Sequence, residues 1–264
     1  MINLSIPVSH LFNDLENIQE LSPLYDSLEC RPFSINSDLP DQTQFHADTI
    51  QPIHELTDED FLFLEKIADT KKDLEVVSFH CASNCKNPDK EDGIFMPGSS
   101  SRLSWDEMSE NVYKNIKIFR SIFNDKVSLA IENNNFYNTG AYDDVTDPAF
   151  LCELVYDNNI WFLFDTAHAR VSAHNLNVDY LEYRNMLPLN RTIQIQFCDS
   201  IIPESADDIA RDTHNLPTEN TIKEVIELCK AYNVKYITPE YYKDVGNLVT
   251  LLKTLRMRLT DNGL

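Results

Sequence analysis

Eight short segments rich in β-branched and aromatic residues recur along the chain, and most are followed by a stretch with helical periodicity. The segments are Ile2–Ile6, Ser27–Arg31, Gln44–Asp48, Glu75–Phe79, Val127–Glu132, Ile160–Asp165, Thr192–Cys198 and Lys235–Glu240. Strands that alternate with helices are typical of βα units, whose strands lie parallel under a layer of helices. The pattern predicts an α/β fold, a closed (β/α)8 TIM barrel that forms one domain over residues 1–264.

Seven intervening segments have helical patterns, and three of them begin with a residue suited to cap a helix, namely Thr57, Ser104 and Thr218. The crossover at 32–43 looks too irregular for a full helix. The predicted helices are Ser9–Leu21, Thr57–Asp69, Ser104–Phe123, Asp147–Tyr156, Asp179–Leu187, Thr218–Tyr232 and Val245–Leu259.

The links between these elements differ in length according to their direction. Helix-to-strand links are short, whereas three strand-to-helix links, 81–103, 133–146 and 199–217, are long. In a TIM barrel the strand-to-helix links gather at the C-terminal face, where active sites of this fold are built. We therefore expect the functional site there, with 81–103 as either a variable surface loop or a lid.

Composition excludes several classes of function. Lys and Arg number 22 against 43 Asp and Glu, which gives a net charge of −21 and argues against binding to nucleic acid or to an anionic membrane. The chain has only 5 glycines, too sparsely placed for a dinucleotide-binding fingerprint or a P-loop.

The cysteines and the hydropathy pattern indicate the cellular compartment in which the protein is expected. The 6 cysteines are scattered without a C-x-x-C pair, which favours reduced thiols. The first residues lack the features of a signal peptide, and no run of 18 apolar residues occurs. We expect a soluble, cytoplasmic protein.

Imidazole and carboxylate side chains stand at the ends of predicted strands and in the link after the seventh. Several carboxylates that converge on one barrel mouth would repel each other unless protons or cations relieved them. Histidine and carboxylate together are ligands for divalent metals such as iron, zinc and manganese. The sequence thus predicts a metal site from His46, His80, Glu132, Asp165, His168, Asp212, His214 and Glu240.

Gln196 and Cys198 alternate with apolar residues on the seventh strand, so both can point into the barrel. Gln196 fits two roles, a weak neutral metal ligand or a partner that hydrogen-bonds to a ligand. Cys198 is either a residue that lines the site or an inert buried thiol. Tyr137 and Tyr241 either line the cleft or pack in the barrel.

The strand-end motifs resemble those of the xylose-isomerase-like metal barrels, in two branches. One is endonuclease IV, whose three-metal site is similar to Phe-His46-Ala-Asp, Phe-His80, Ile-Glu132-Asn and Asp165-Thr-Ala-His168. The other is the multinuclear non-heme iron dependent oxidative enzymes, which modify ribosomally made peptides. Their resemblance extends over about 129–242, and its most specific motifs are Val171-Ser-Ala-x-Asn and Leu187-Pro-Leu-x-Arg-x-Ile-Gln-Ile.

The second resemblance implies two or three metal ions, iron above all with zinc or manganese as alternatives, and dioxygen-dependent oxidation of a peptide, often at cysteine. It implies one ion on His46, His80 and Glu132, with Glu132 bridging to a second. The second ion would use Glu132, Asp165, Glu240 and Gln196, and a third would use His168, Asp212 and His214. Both branches usually have histidine where Gln196 stands, which weakens the second position. A partner protein that presents the peptide is a further implication.

Three other functions stay open from the sequence. A single-metal sugar isomerase or epimerase would use Glu132 and Glu240 as acid and base beside one ion of Mn²⁺ or Mg²⁺. A phosphodiesterase like endonuclease IV would need a basic rim for DNA, which the net charge of −21 opposes. The fourth possibility is a metal-binding module without catalysis. We rank peptide oxidation first.

Overall fold

The strands of the computed structural model form a closed parallel barrel, which confirms the predicted fold class. The structure describes residues 1–99, 101–124 and 126–264; Ser100, in the predicted loop 81–103, and Asp125 lie outside the described residues. The barrel strands are β1 (Asn3–Pro7), β2 (Ser27–Cys30), β3 (Gln42–Ala47), β4 (Val76–His80), β7 (Ser128–Glu132), β8 (Trp161–Asp165), β9 (Thr192–Phe197) and β12 (Tyr236–Pro239). Their order is β1-β12-β9-β8-β7-β4-β3-β2.

Helices cover the outside of the barrel. They are α1 (Leu15–Leu21), α2 (Asp58–Thr70), α3 (Trp105–Phe123), α4 (Pro148–Asp157), α5 (Thr166–Asn175), α6 (Tyr180–Met186), α7 (Glu219–Ala231) and α8 (Val245–Asp261). Thr57, Ser104 and Thr218 cap their helices as predicted. Within the described ranges, no helix combines the length and the apolar character needed to cross a membrane.

Two helix predictions need correction. The predicted helix Ser9–Leu21 is interrupted, because Asp14 has extended backbone angles and caps α1 after a 3-10 turn at His10–Asn13. Helix α5 was not predicted, since its sequence is polar with little amphipathic periodicity. The irregular crossover at 32–43 is confirmed, with a 3-10 turn at Pro32–Ser34 as its helical part.

The alternation of side chains along the strands separates two environments. Apolar residues face the helices, as where Phe79 of β4 stacks on Phe119 of α3 at 4.4 Å between ring centroids. Polar residues face inward, as where the Gln194 amide donates to Glu29 and to Thr238. The main hydrophobic core therefore lies between sheet and helices, and the barrel interior below the mouth combines this polar network with a small apolar cluster that includes Val76, Ala130, Leu163 and Tyr236.

Two of the three long links form β-hairpins at the C-terminal face. Strands β5 (Asp89–Glu91) and β6 (Ile94–Met96) pair antiparallel across Asp92-Gly93, both of which have positive φ, as a tight two-residue hairpin turn requires. Strands β10 (Asp199–Ile201) and β11 (Arg211–Asn215) form the second hairpin. These hairpins, with the link at 133–147, surround the barrel mouth.

Candidate metal centre

Three ligand atoms meet at the C-terminal ends of β3, β4 and β7. Parallel pairing places His80 directly opposite Glu132, and His46 opposite Ser78, two residues before His80. The Nε2 atoms of His46 and His80 are 2.8 Å apart, and Glu132 Oε2 lies 3.3 Å from the first and 2.6 Å from the second. Ser78 hydrogen-bonds to His46 Nδ1, which leaves Nε2 free to bind a metal.

The other oxygen of Glu132 faces the first turn of α5. Glu132 Oε1 lies 3.0 Å from His168 Nδ1, and Asp165 caps the same helix by accepting from the His168 backbone N–H at 2.7 Å. Among the described residues, two groups bring three ligand atoms within 4.8 Å of one another. They are His46 with His80 and Glu132, and Glu132 with Asp165 and His168. Glu132 belongs to both, as a bridging ligand would.

The unsatisfied atoms of this cluster fit a bound cation. Glu132 Oε2 and Asp165 Oδ2 are buried and accept no hydrogen bond. Burial raises the pKa of Asp165 to about 8, with Glu240, Glu132 and Asp212 adding to the effect and His168 opposing it. A buried acceptor without a partner is costly, so a metal ion on these oxygens would stabilise the fold. The donor set of imidazoles and carboxylates suits iron, zinc or manganese.

Asp212 and His214 approach the same mouth from β11. Asp212 Oδ2 lies 3.4 Å from His168 Nε2 and 3.6 Å from His214 Nε2. His214 is nearer to Glu240, whose Oε2 is 3.2 Å away. Its φ of 46° lies in the left-handed region, a strained backbone that is common at functional sites.

Glu240 has a partner that we did not predict. The Arg31 guanidinium, directly after β2, forms an ion pair with Glu240 Oε1 and lies 3.0 Å from Glu29 Oε1. Burial alone would raise the pKa of Glu240, but Arg31 and His214 lower it to about 2. Gln196 also faces this group, where its amide nitrogen lies 3.0 Å from both oxygens of Glu29.

The three remaining predicted site residues, Tyr137, Cys198 and Tyr241, lie in different surroundings. Tyr137 borders the cavity that leads to His168. Cys198 is buried with Sγ 3.5 Å from Asp212 Oδ1, and burial raises the pKa of its thiol far above the ordinary value. Tyr241 lies in the hydrophobic core and donates to Asp244, whereas its neighbour Tyr242 donates to Glu240 Oε1 at 3.0 Å.

A family model connects this geometry to known proteins. Residues 61–253 match the model of the RiPP precursor modification enzymes MbnB/TglH/ChrH, where RiPP denotes a ribosomally made and post-translationally modified peptide. The chain belongs to this family. The matched range holds all the predicted metal ligands except His46, and it excludes Glu29 and Arg31.

This MbnB/TglH/ChrH family member also resembles curated proteins and solved structures that are more distant. Two curated proteins from strains of Caulobacter vibrioides, each described as a UPF0276 protein, are 29% identical over 94 residues, 36% of this chain and 32% of theirs. The Escherichia coli 3-keto-D-glucoside 4-epimerase YcjR superposes with a TM-score of 0.61 at 14% identity, over 97% of this chain and 100% of that one. A xylose isomerase-like TIM barrel protein from Mycobacterium smegmatis, in complex with magnesium, superposes with a TM-score of 0.59 at 9% identity, over 99% of this chain and 98% of that one. The chain thus spans about a third of the curated relatives' length, and the solved structures support the TIM barrel alone.

A cavity of about 540 Å³ leads to the candidate metal centre of this family member. His80, His168 and Asp212 line it, and the β5–β6 hairpin forms one wall. The hairpin is held by the link at 133–147, because Phe95 donates its backbone N–H to Tyr142 Oη at 2.8 Å and accepts from Thr139 Oγ1 at 2.7 Å. The β5–β6 hairpin, within the predicted link 81–103, therefore borders the entrance to this cavity.

Removing metal is expected to lower the melting temperature. An ion that binds the folded chain and not the unfolded one stabilises it by about 2.7 kcal/mol at a concentration of 100 times its Kd. Thermal melts of protein treated with EDTA, and of the same sample after anaerobic addition of Fe²⁺, measure this effect. Equal melting temperatures would contradict metal binding by Glu132 and Asp165.

Tyr142→Phe is expected to loosen the β5–β6 hairpin. Loss of the bond from Phe95 removes about 1 kcal/mol, so the hairpin should open about fivefold more often. Hydrogen exchange of the amides at 89–96 measures the change. Tyr113→Phe, at an exposed tyrosine on α3, is the matched control and should leave that exchange unaltered.

Proposed function

We propose that this protein oxidatively modifies a ribosomally made peptide at cysteine, with bound iron and with dioxygen as the oxidant. Membership of the MbnB/TglH/ChrH family supports the peptide substrate. The observation that carries the metal part is the set of buried carboxylate oxygens on Glu132 and Asp165 that accept no hydrogen bond and lie beside three imidazoles. We further propose that the protein acts without nucleic acid or membrane, as its net charge of −21 favours.

The protein's own groups would position metal and peptide. When bound, iron supplies redox chemistry with dioxygen that no side chain provides. His46 and His80 would hold one ion, and Glu132 would bridge it to the ion on Asp165 and His168. Burial lowers the pKa of His46 well below its ordinary value, even though Glu132 raises it, so this imidazole stays neutral and able to ligate.

The cavity is suited to a peptide. Asn135, whose Oδ1 accepts no hydrogen bond within the protein, offers an amide to the peptide backbone, while Lys90 and Arg211 place positive charge at the rim. Arg211 also donates to the backbone carbonyl of Asp92, which ties the two hairpins together across the entrance. A peptide that enters here would reach the metal ligands with its cysteine side chain, between His80 and Asp212.

The contacts of Glu240 disfavour the rival sugar isomerase. That reaction needs Glu132 and Glu240 to take up and release protons on either side of the substrate. Glu240 is instead held by Arg31, Tyr242 and His214, with a pKa of about 2. Such a carboxylate is a poor base at neutral pH.

The proposal is tested with a peptide encoded beside the protein's own gene. Anaerobically purified protein, loaded with Fe²⁺, is mixed with that peptide in an oxygen electrode, and the product is analysed by mass spectrometry. We expect oxygen consumption and a mass change located at cysteine. Parallel reactions with a candidate partner protein test whether a partner presents the peptide.

The matched control is the same peptide with its cysteine replaced by serine, which should consume no oxygen. Zinc as the sole metal of the active protein would contradict the proposal. So would turnover of a small sugar without oxygen, which would restore the isomerase.

A further inference from the structure

Both oxygens of Glu240 are already engaged by the protein. Oε1 forms an ion pair with Arg31 and accepts the Tyr242 hydroxyl at 3.0 Å, and Oε2 lies 3.2 Å from His214 Nε2. The carboxylate is buried, with 3% of its side chain exposed. Glu240 therefore has a cation, a hydroxyl and an imidazole as partners without any metal.

Glu29 completes this group on the opposite side of Arg31. Its side chain is 1% exposed, and Arg31 lies 3.0 Å from Oε1. The amides of Gln194 and Gln196 donate to the same carboxylate at 2.5 Å and 3.0 Å. Gln196 thus directs its amide nitrogen, which cannot ligate a metal, toward Glu29, while its Oε1 is buried and accepts no hydrogen bond.

The opposite half of the mouth differs. There Glu132 Oε2 and Asp165 Oδ2 accept no hydrogen bond, and both groups of three ligand atoms found among the described residues lie on that side. In one half of the mouth the carboxylate oxygens of Glu132 and Asp165 accept no hydrogen bond, and in the other half the carboxylates of Glu29 and Glu240 are paired with a guanidinium.

We infer that the Arg31 guanidinium is the resident cation of the Glu240, Glu29 and Gln196 corner and takes the place of a metal ion there. The predicted ligand set could hold three metal ions, and two of those positions remain available when Arg31 occupies the third. Arginine is charged at every accessible pH and is fixed here by two buried carboxylates. A metal ion on Glu240 would lie close to this charge in a poorly solvated place and be repelled by it.

The inference rests on the metal binding of the proposed function but not on the reaction. The test is the iron content per chain after anaerobic loading with excess Fe²⁺ and gel filtration. Wild type should bind two ions. The variant Arg31→Ala/Gln196→His removes the guanidinium and supplies an imidazole, and we expect three ions, a 1.5-fold increase.

Three further variants complete the design. Gln196→His alone keeps Arg31 and should stay at two ions, as should Arg31→Lys, which keeps a cation. Arg258→Ala, at an arginine on α8 that is 44% exposed, is the matched control. Circular dichroism reports whether each variant is folded. If the double variant does not fold, the iron contents of wild type and of Gln196→His still test the inference.

Each outcome has one meaning. Three ions in wild type or in Gln196→His would overturn the inference and leave the proposed function standing. A folded double variant that still binds two ions would also overturn it. No bound iron in any variant would contradict the proposed function and, with it, this inference.

Discussion

Glu132→Gln is expected to lose both iron and peptide-modifying activity. The carboxylate lies 2.6 Å from His80 and 3.0 Å from His168 through separate oxygens, so it is the group common to both triads. Glutamine keeps the shape but replaces one anionic oxygen by an amide nitrogen that cannot ligate. Loss of residues that merely support metal ligands lowers metal affinity or activity by about 10- to 100-fold. Removal of a bridging ligand should therefore lower activity by at least about 100-fold.

Iron content and the initial rate of oxygen consumption measure this effect on the same sample. Glu227→Gln is the matched control, because this glutamate on α7 is 64% exposed and forms an ion pair of 3.8 Å with Lys223 one turn away. A melting curve shows whether the Glu132 variant is folded. A folded variant with normal iron and more than a tenth of the rate would exclude a bridging role for Glu132.

The barrel could be predicted because its determinants are local. A strand such as β9, Thr-Ile-Gln-Ile-Gln-Phe, carries its alternation in six consecutive residues, and β-branched and aromatic residues mark its two ends. Helix α3 begins at a capping box of Ser104 and Glu107 that is legible from the sequence. The β5–β6 hairpin was beyond such reasoning, because two strands of three residues carry too little periodicity.

The candidate site was predictable where ligands end parallel strands. His46, His80 and Glu132 occupy neighbouring strands whose register brings them together, as the barrel requires. What could not be foreseen is a pairing across the barrel. Glu29 and Arg31 are separated by 209 to 211 residues from Glu240, so only closure of β1 against β12 makes them neighbours.

A signal for this ion pair was nonetheless present. Glu29 and Arg31 stand at alternate positions at the end of a predicted strand, so both point into the barrel. Charged residues on the inner face of a strand need a partner there. The acidic mouth predicted from Glu132, Asp165 and Glu240 is that partner, and an arginine side chain can neutralise it as a metal ion can.

Arg31→Met is expected to destabilise the metal-free protein by about 3–5 kcal/mol, because removing one member of a buried ion pair leaves the other charge unpaired. Arg31 is 14% exposed, and its partners Glu29 and Glu240 are 1% and 3% exposed. Methionine fills a similar volume, so lost packing contributes less than lost charge. Urea denaturation in EDTA measures the free energy of unfolding.

The double variant Arg31→Met/Glu29→Gln separates charge from packing. If the cost comes from the unpaired carboxylates, neutralising Glu29 should restore part of the stability, whereas a packing defect would persist. Arg258→Met is the control, since its pair with Glu219 is exposed and should be worth about 1 kcal/mol or less. If Arg31→Met lowers the free energy of unfolding by no more than Arg258→Met does, then Arg31 does not neutralise the buried corner. That result would also contradict its role as the resident cation.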